Sequence, residues 1–145
     1  MDQQHRAFLS GERPEDVLIY LSDTVVSDGE ALSDHGTRVE GGTVLVLPGD
    51  RGRSVFEQAV GVPPMTFAGT AMETEGTVLD DCTGGECPNP DPETEHQVQV
   101  LLAFAEEQNE DAGGLYAEGD VIHAYADCTC DTTYSDRWVA GDSKP

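Results

Sequence analysis

All four cysteines of this 145-residue chain fall in two tight pairs. Cys82 and Cys87 bracket Thr83-Gly84-Gly85-Glu86, while Cys128 and Cys130 bracket Thr129 alone. Sulfur at such spacing binds metal, forms disulfides or cycles between thiol and disulfide. In an extended segment, residues two apart point to the same side, so Cys128 and Cys130 can present both sulfurs together. Gly84 and Gly85 permit positive φ and a tight turn, which would fold Cys82 and Cys87 toward one point. Four thiolates around one Zn²⁺ make a closed tetrahedral structural site. Such a shell leaves no open position for water, so metal-assisted hydrolysis is not expected from it. The spacing, C-x4-C and C-x-C, departs from the repeated C-x2-C of zinc ribbons. Two disulfides, an iron–sulfur cluster or a thiol redox pair formed by Cys128 and Cys130 are the rivals.

The elements that must position these sulfurs can be read from apolar patterning. Residues 3–10 suggest a short helix ending at Gly11. "DVLIYL" (16–21) and "GTVLVLPGD" (42–50) read as strands, the second closed by Pro48-Gly49. Residues 24–36 hold material for one helix stopped by Gly36. In "RSVFEQAVG" (53–61), Val55, Phe56, Ala59 and Val60 share a helical face and Gly61 supplies the stop. Pro63 and Pro64 head another short helix. This order fits a βαβ-like unit or a split α+β arrangement. Residues 80–95, rich in proline, glycine and acids, form a loop at the border between portions 1–79 and 80–145. Beyond it, residues 96–105 and Val121–Ala126 read as strands, with a helix over 97–108 as the competing reading. Folding them as a hairpin about Asp111 brings Cys128 and Cys130 back toward residues 92–94, beside the first pair. The expected fold is therefore α+β. It has a mixed strand and helix N-terminal portion and a C-terminal β-hairpin, closed by zinc on Cys82, Cys87, Cys128 and Cys130.

Charge colours everything else. The chain carries 29 Asp and Glu against 7 Lys and Arg, a net charge of −22, with Lys144 its only lysine. The acids are dispersed between apolar stretches, which describes a folded protein with an acidic skin and not an acidic tail. Self-repulsion of this size is relieved when salt shortens the Debye length to about 3 Å at 1 M. That points to a halophilic setting, in which the acidity argues neither for nor against nucleic-acid binding. The N-terminus lacks a cationic stretch followed by an apolar run, and no stretch approaches 18 apolar residues. A cytoplasmic protein without a membrane span is expected. In a reducing cytoplasm metal ligation outranks disulfides.

Other residues compete for a role. "PGDRGRS" (48–54) joins a strand to a helix, where Arg51 and Arg53 could hold a phosphorylated ligand. The phosphate-loop pattern G-x4-G-K-[ST] is absent there, and a plain strand-to-helix turn is the simpler reading. Tyr134, Arg137 and Trp138 gather after the second cysteine pair. Tyrosine, arginine and tryptophan dominate binding hot spots, which marks an interaction surface; packing of Trp138 over the metal is the bland alternative. His123 reads as a partly buried, hydrogen-bonded residue of its strand.

The stretch "FAEEQNEDAGGLYAEGDVIHAYADCTC", followed by "YSDRWV" in a Lys-poor acidic background, resembles a small haloarchaeal protein family of unknown function. The resemblance implies an organism class and no activity. The residues themselves suggest a non-enzymatic, zinc-stabilised adaptor that binds a protein or ribonucleoprotein partner. A small enzyme using the 48–54 turn, or a thiol redox protein, is the alternative.

Overall fold

The computed structural model describes residues 3–9, 15–22, 37–39, 42–78, 82, 84–88, 97–106, 111, 119–130 and 132–139. Its elements in chain order are α1 (Gln3–Leu9), β1 (Asp16–Ser22), β2 (Thr37–Val39), β3 (Gly42–Pro48), α2 (Gly49–Val60) and α3 (Pro64–Ala71). The short strands β4 (Thr77–Val78) and β5 (Gly85–Glu86) follow, then β6 (Val98–Glu106), β7 (Val121–Cys128) and β8 (Thr133–Val139). The helix expected within 24–36 lies outside the described residues.

Six strands form one sheet in the order β2-β3-β1-β6-β7-β8, and every neighbouring pair is antiparallel. β1 lies between β3 and β6, so the helical crossover from β3 passes over an intervening antiparallel strand. Of the two arrangements open to the sequence, the split one is realised. The sheet also crosses the border at residues 79–80, because β1 pairs with β6 through Val17–Leu21 and Val100–Phe104.

β1 and β3 are almost continuous apolar runs because both faces of the sheet are covered. One face carries Ile19, Leu21, Leu45, Leu47, Val100, Leu102 and Tyr125, and α2 and α3 close it with Phe56, Phe67, Ala68 and Ala71. The opposite face carries Leu18, Tyr20, Val44, Val46, Leu101, Ala103, Ile122, Ala124 and Ala126. Its cover is Phe8 of α1, Val78 of β4 and Cys82, with Cys128 and Tyr134 beneath. α2 begins at Gly49, earlier than the pattern at 53 suggests, because Pro48 sets a helix-entry φ of −53°. It stops at Gly61, whose φ of 87° is the left-handed cap expected of it.

In the C-terminal portion residues 98–106 are strand, as read over 96–105, and the competing helix is not formed. Two corrections concern how the strands pair: the β6–β7 register matches Val98 with Cys128 and Glu106 with Val121. That register is centred beyond Asp111. The portion is also no simple hairpin, since β8 pairs with β7 along Thr133–Val139 and makes a three-stranded meander. Tyr134 and Trp138 point into the core at period two, while Ser135 and Arg137 face the other way. The stretch expected to be an interaction surface is thus the last strand of the sheet. Its edge is not bare: Ser135 N–H donates to Thr74 O at 2.9 Å and Gly76 N–H donates to Ser135 O at 3.0 Å. The chain leaving α3 runs along this edge and delivers β4 and β5 to the opposite face.

Candidate metal centre

The cysteines sit where three structural devices meet. β7 ends at Cys128, whose N–H donates to Thr132 O at 2.9 Å and closes the turn into β8. Thr129 N–H donates to Gln97 O at 2.9 Å, and Gln97 N–H donates to Thr129 Oγ1 at 3.3 Å, so the turn is pinned to the start of β6. Between Val98 and Val100 the β6–β7 register shifts, and Gln99 reaches Asp127 Oδ2 at 2.7 Å and Cys128 O at 3.3 Å. The two cysteines of this pair are therefore presented by a strand end and a braced turn, not by one extended segment.

From the other side comes β5, paired with β4 through Thr77–Glu86 and Val78–Gly85. β4 is tied in turn to β8, because Val78 N–H donates to Asp136 Oδ2 at 3.0 Å. Cys87 follows β5 directly. As a result the Sγ atoms of Cys87, Cys128 and Cys130 lie within 4.8 Å of one another. Cys87 Sγ and Cys130 Sγ are 3.7 Å apart, far beyond the ~2.05 Å of a disulfide. The two sequence pairs do meet, with three sulfurs in the group.

Cys82 is fully buried in the same core cluster as Cys128 but falls outside that three-sulfur group. It holds a φ of 59°, a left-handed backbone that non-glycine residues rarely adopt. The sequence assigns positive φ to the neighbouring glycines instead. For Gly85 the requirement is space: an added Cβ would lie 2.6 Å from Thr77 O and 2.7 Å from the Tyr134 hydroxyl.

The electrostatics favour thiolate at Cys130. The Cys130 thiol is pulled down to about 6, chiefly by its hydrogen bond with the Thr132 hydroxyl at 3.2 Å. Partial burial opposes this, and the Thr132 backbone, Cys128 and Cys87 add to the lowering. Tyr134 is the largest fully buried side chain, and its hydroxyl has no hydrogen-bond partner among the described residues. Burial pushes that hydroxyl far above the ordinary tyrosine range, and negative charge on Cys87, Cys128, Cys130 and Asp127 pushes it further. Sequence reasoning gives Tyr134 to the surface; its period-two position before Trp138 is the signal that it belongs inside.

Elsewhere the expected residues stand apart from the sulfurs. Trp138 is buried opposite Ile122, six residues along β7 from Cys128 and so about 20 Å away along the strand. Tyr134 is the nearer of the two to Cys128, since it lies opposite Ala126, two residues away on β7. Arg137 is exposed and lines a cleft of about 460 Å³ with Met72, His123 and Tyr125 on the other face. His123 is a held residue: its Nε2 lies 2.9 Å from Glu106 Oε2 and its ring stacks on Phe104 at 5.3 Å. Arg53 is engaged by Asp50 at 2.6 Å within the first turn of α2, and both side chains are exposed. His35 and His96 lie outside the described residues, and His5 is placed only by its backbone.

Fold and site together define a class: a small antiparallel α+β domain whose sheet carries at one end clustered cysteines close enough to hold a metal ion. The chain belongs to a family of unknown function, DUF5807, whose model matches residues 36–141. That span holds every cysteine but omits β1, the strand between β3 and β6. No curated protein matches the chain, and no solved structure does. Among the described residues, no helix is long and apolar enough to cross a membrane.

Proposed function

We propose that the protein is a non-enzymatic binding module whose β4–β5 cover is clasped to the sheet by a structural Zn²⁺ on Cys87, Cys128, Cys130 and Cys82. The observation that carries this is the sulfur geometry. A tetrahedron with Zn–S near 2.3 Å has S···S edges of about 3.8 Å. The 3.7 Å between Cys87 and Cys130 fits such an edge. Cys82 supports the fourth place: it is buried in the same cluster, and its left-handed φ is the kind of local strain that gathers at functional sites. With all four ligands supplied by the chain, the metal's work is to hold structure.

A binding role draws support from the surface. Met65 and Met72 are 74% and 64% exposed, and Met72 borders the cleft that holds Arg137. Exposed methionine is adaptable and recurs at recognition surfaces. The acidic composition favours a salt-rich cytoplasm as the setting in which a protein or ribonucleoprotein partner is bound, without choosing between the two. The anion reading of the 48–54 turn gains nothing comparable, since Asp50 already engages Arg53. Purified protein should contain one zinc per chain. Its thiols should resist alkylation until a chelator is added, whereas metal-free protein with one fast-reacting thiol sinks the proposal.

The 3.7 Å contact also favours a second reading, a redox pair of Cys87 and Cys130 instead of Cys128 and Cys130. Two thiols would then give two protons and two electrons to a disulfide oxidant such as glutathione disulfide. Mass spectrometry of the oxidised chain decides it: a reversible Cys87–Cys130 cross-link supports the redox reading, and inert thiols under saturating zinc support the clasp.

A further inference from the structure

Tyr134 presents a contradiction. Its side chain is completely buried, yet its hydroxyl meets no acceptor among the described residues. Buried hydroxyls are nearly always hydrogen-bonded, and each exception calls for an explanation. The ring cannot easily swing away to find one. It packs so closely on Gly76 that an added Cβ there would collide with its Cβ, Cγ and Cδ2 atoms. The hydroxyl abuts Gly85, in the segment between Cys82 and Cys87, at 2.7 Å from where a Cβ would stand. Phenylalanine would fill the same space without an orphaned polar atom. What distinguishes tyrosine here is one O–H donor set against Gly85, in the core cluster that also holds Cys82 and Cys128.

We infer that the Tyr134 hydroxyl donates a hydrogen bond to a metal-bound thiolate of the cluster, with Cys87 the leading acceptor, and so raises the affinity of the site for its metal. This rests on the reading of the cluster as a metal centre. A thiolate bound to Zn²⁺ keeps lone pairs that accept hydrogen bonds. A cluster of several thiolates on one divalent ion carries excess negative charge, which a buried donor offsets. Cys87 is two residues from Gly85 and belongs to the three-sulfur group. Tyr134 is thus a positioning residue that acts through the sulfur it donates to, and it never touches the metal.

The test is Tyr134→Phe, with Trp138→Phe as the control for loosened packing on the same strand. Competition with a chelator of known affinity should show zinc held about 10- to 100-fold more weakly by Tyr134→Phe, the range typical of lost outer-shell partners. Trp138→Phe should keep its affinity within about twofold. The thermal midpoints should diverge in sign: metal-free Tyr134→Phe melts at or above the parent chain, and its zinc-loaded form melts below. With Co²⁺ in the site, the sulfur-to-metal charge-transfer band should move to lower energy in the variant, because the thiolate loses its donor. A measurement on the unsubstituted chain needs no variant to fold: with ¹¹³Cd bound, the Tyr134 hydroxyl proton should couple to cadmium through sulfur. Tight metal binding with unchanged affinity, an unmoved band and no such coupling overturns this inference alone. A parent chain that binds no thiophilic metal overturns the metal reading and this inference with it.

Discussion

The two faces of the sheet are sealed by different means. On one, α2 and α3 lay down Phe56, Phe67, Ala68 and Ala71 over a carpet of Ile19, Leu21, Leu45 and Leu102. Two helices at ordinary spacing supply enough apolar surface to hold themselves there. On the other, the cover beside β7 and β8 is two short strands, β4 and β5, with the described residues around Cys82 and Cys87. Val78 and Cys82 are its fully buried apolar side chains among the described residues. So little apolar area cannot offset the backbone entropy of ordering those residues, about 1–2 kcal/mol each. The sulfurs gather on that face, where the proposed zinc would supply the hold that hydrophobic burial does not.

The sharpest way to break this contrast is to withhold the proposed zinc. A chelator should strip the zinc, and Cys128→Ser should weaken its binding by more than about 100-fold, beyond the loss of any outer-shell partner. The damage should be local. Hydrogen exchange should accelerate at Val78, residues 84–87, Thr129, Cys130 and Thr132, while amides of β1, β3 and α2 stay protected. Uniform loss of protection over both faces would mean that the helical face also depends on the clasp.

The converse substitution is Phe56→Ala. Phe56 is fully buried and its ring centroid lies 5.3 Å from that of Phe67. Truncation should cost about 3–5 kcal/mol in denaturant unfolding, whether or not zinc is present. Zinc affinity itself should not change. A metal-dependent cost would show that the two faces are coupled through the sheet.

Asp136→Ala probes how the weak cover is held. Its Oδ2 accepts from Val78 N–H and its Oδ1 from Arg137 N–H, fixing β4 to β8. Losing a charge-assisted bond at a partly buried site should cost about 1.5–3 kcal/mol. The loss should shrink in zinc-saturated protein, where the clasp alone keeps β4–β5 docked. Equal losses with and without zinc would place Asp136 in the global fold and not in the cover.

The same contrast decides what is legible in the sequence. β1, β3, α2 and the meeting of the two cysteine pairs can be read because each rests on a local pattern: an apolar run, a helical face ended by Gly61, a hairpin returning on itself. β8 escapes because "YSDRWV" mixes polar and aromatic residues as a binding motif would. Only its inward residues, Tyr134 and Trp138, betray a strand. The site is half legible for a related reason. Sequence spacing brings four sulfurs to one neighbourhood, but the left-handed turn at Cys82 and the register shift at Gln99 are set by tertiary contacts. The donor beside the sulfurs, Tyr134, enters from a strand that the pattern does not announce.

The smallest expected effect belongs to Arg53→Ala. Its pair with Asp50 spans one turn at the start of α2, with side chains 58% and 98% exposed. Exposed pairs gain little because water screens the attraction and two long side chains lose freedom in meeting. The acidic Asp50 also favours this helix end without Arg53, through the positive pole of the helix. The substitution should therefore move the thermal midpoint by about 1 °C or less and leave zinc affinity and the Asp136 result untouched. A larger drop, or a stabilisation by inorganic phosphate of the parent chain but not of the variant, would give the 48–54 turn the ligand role that its geometry now leaves to an ion pair.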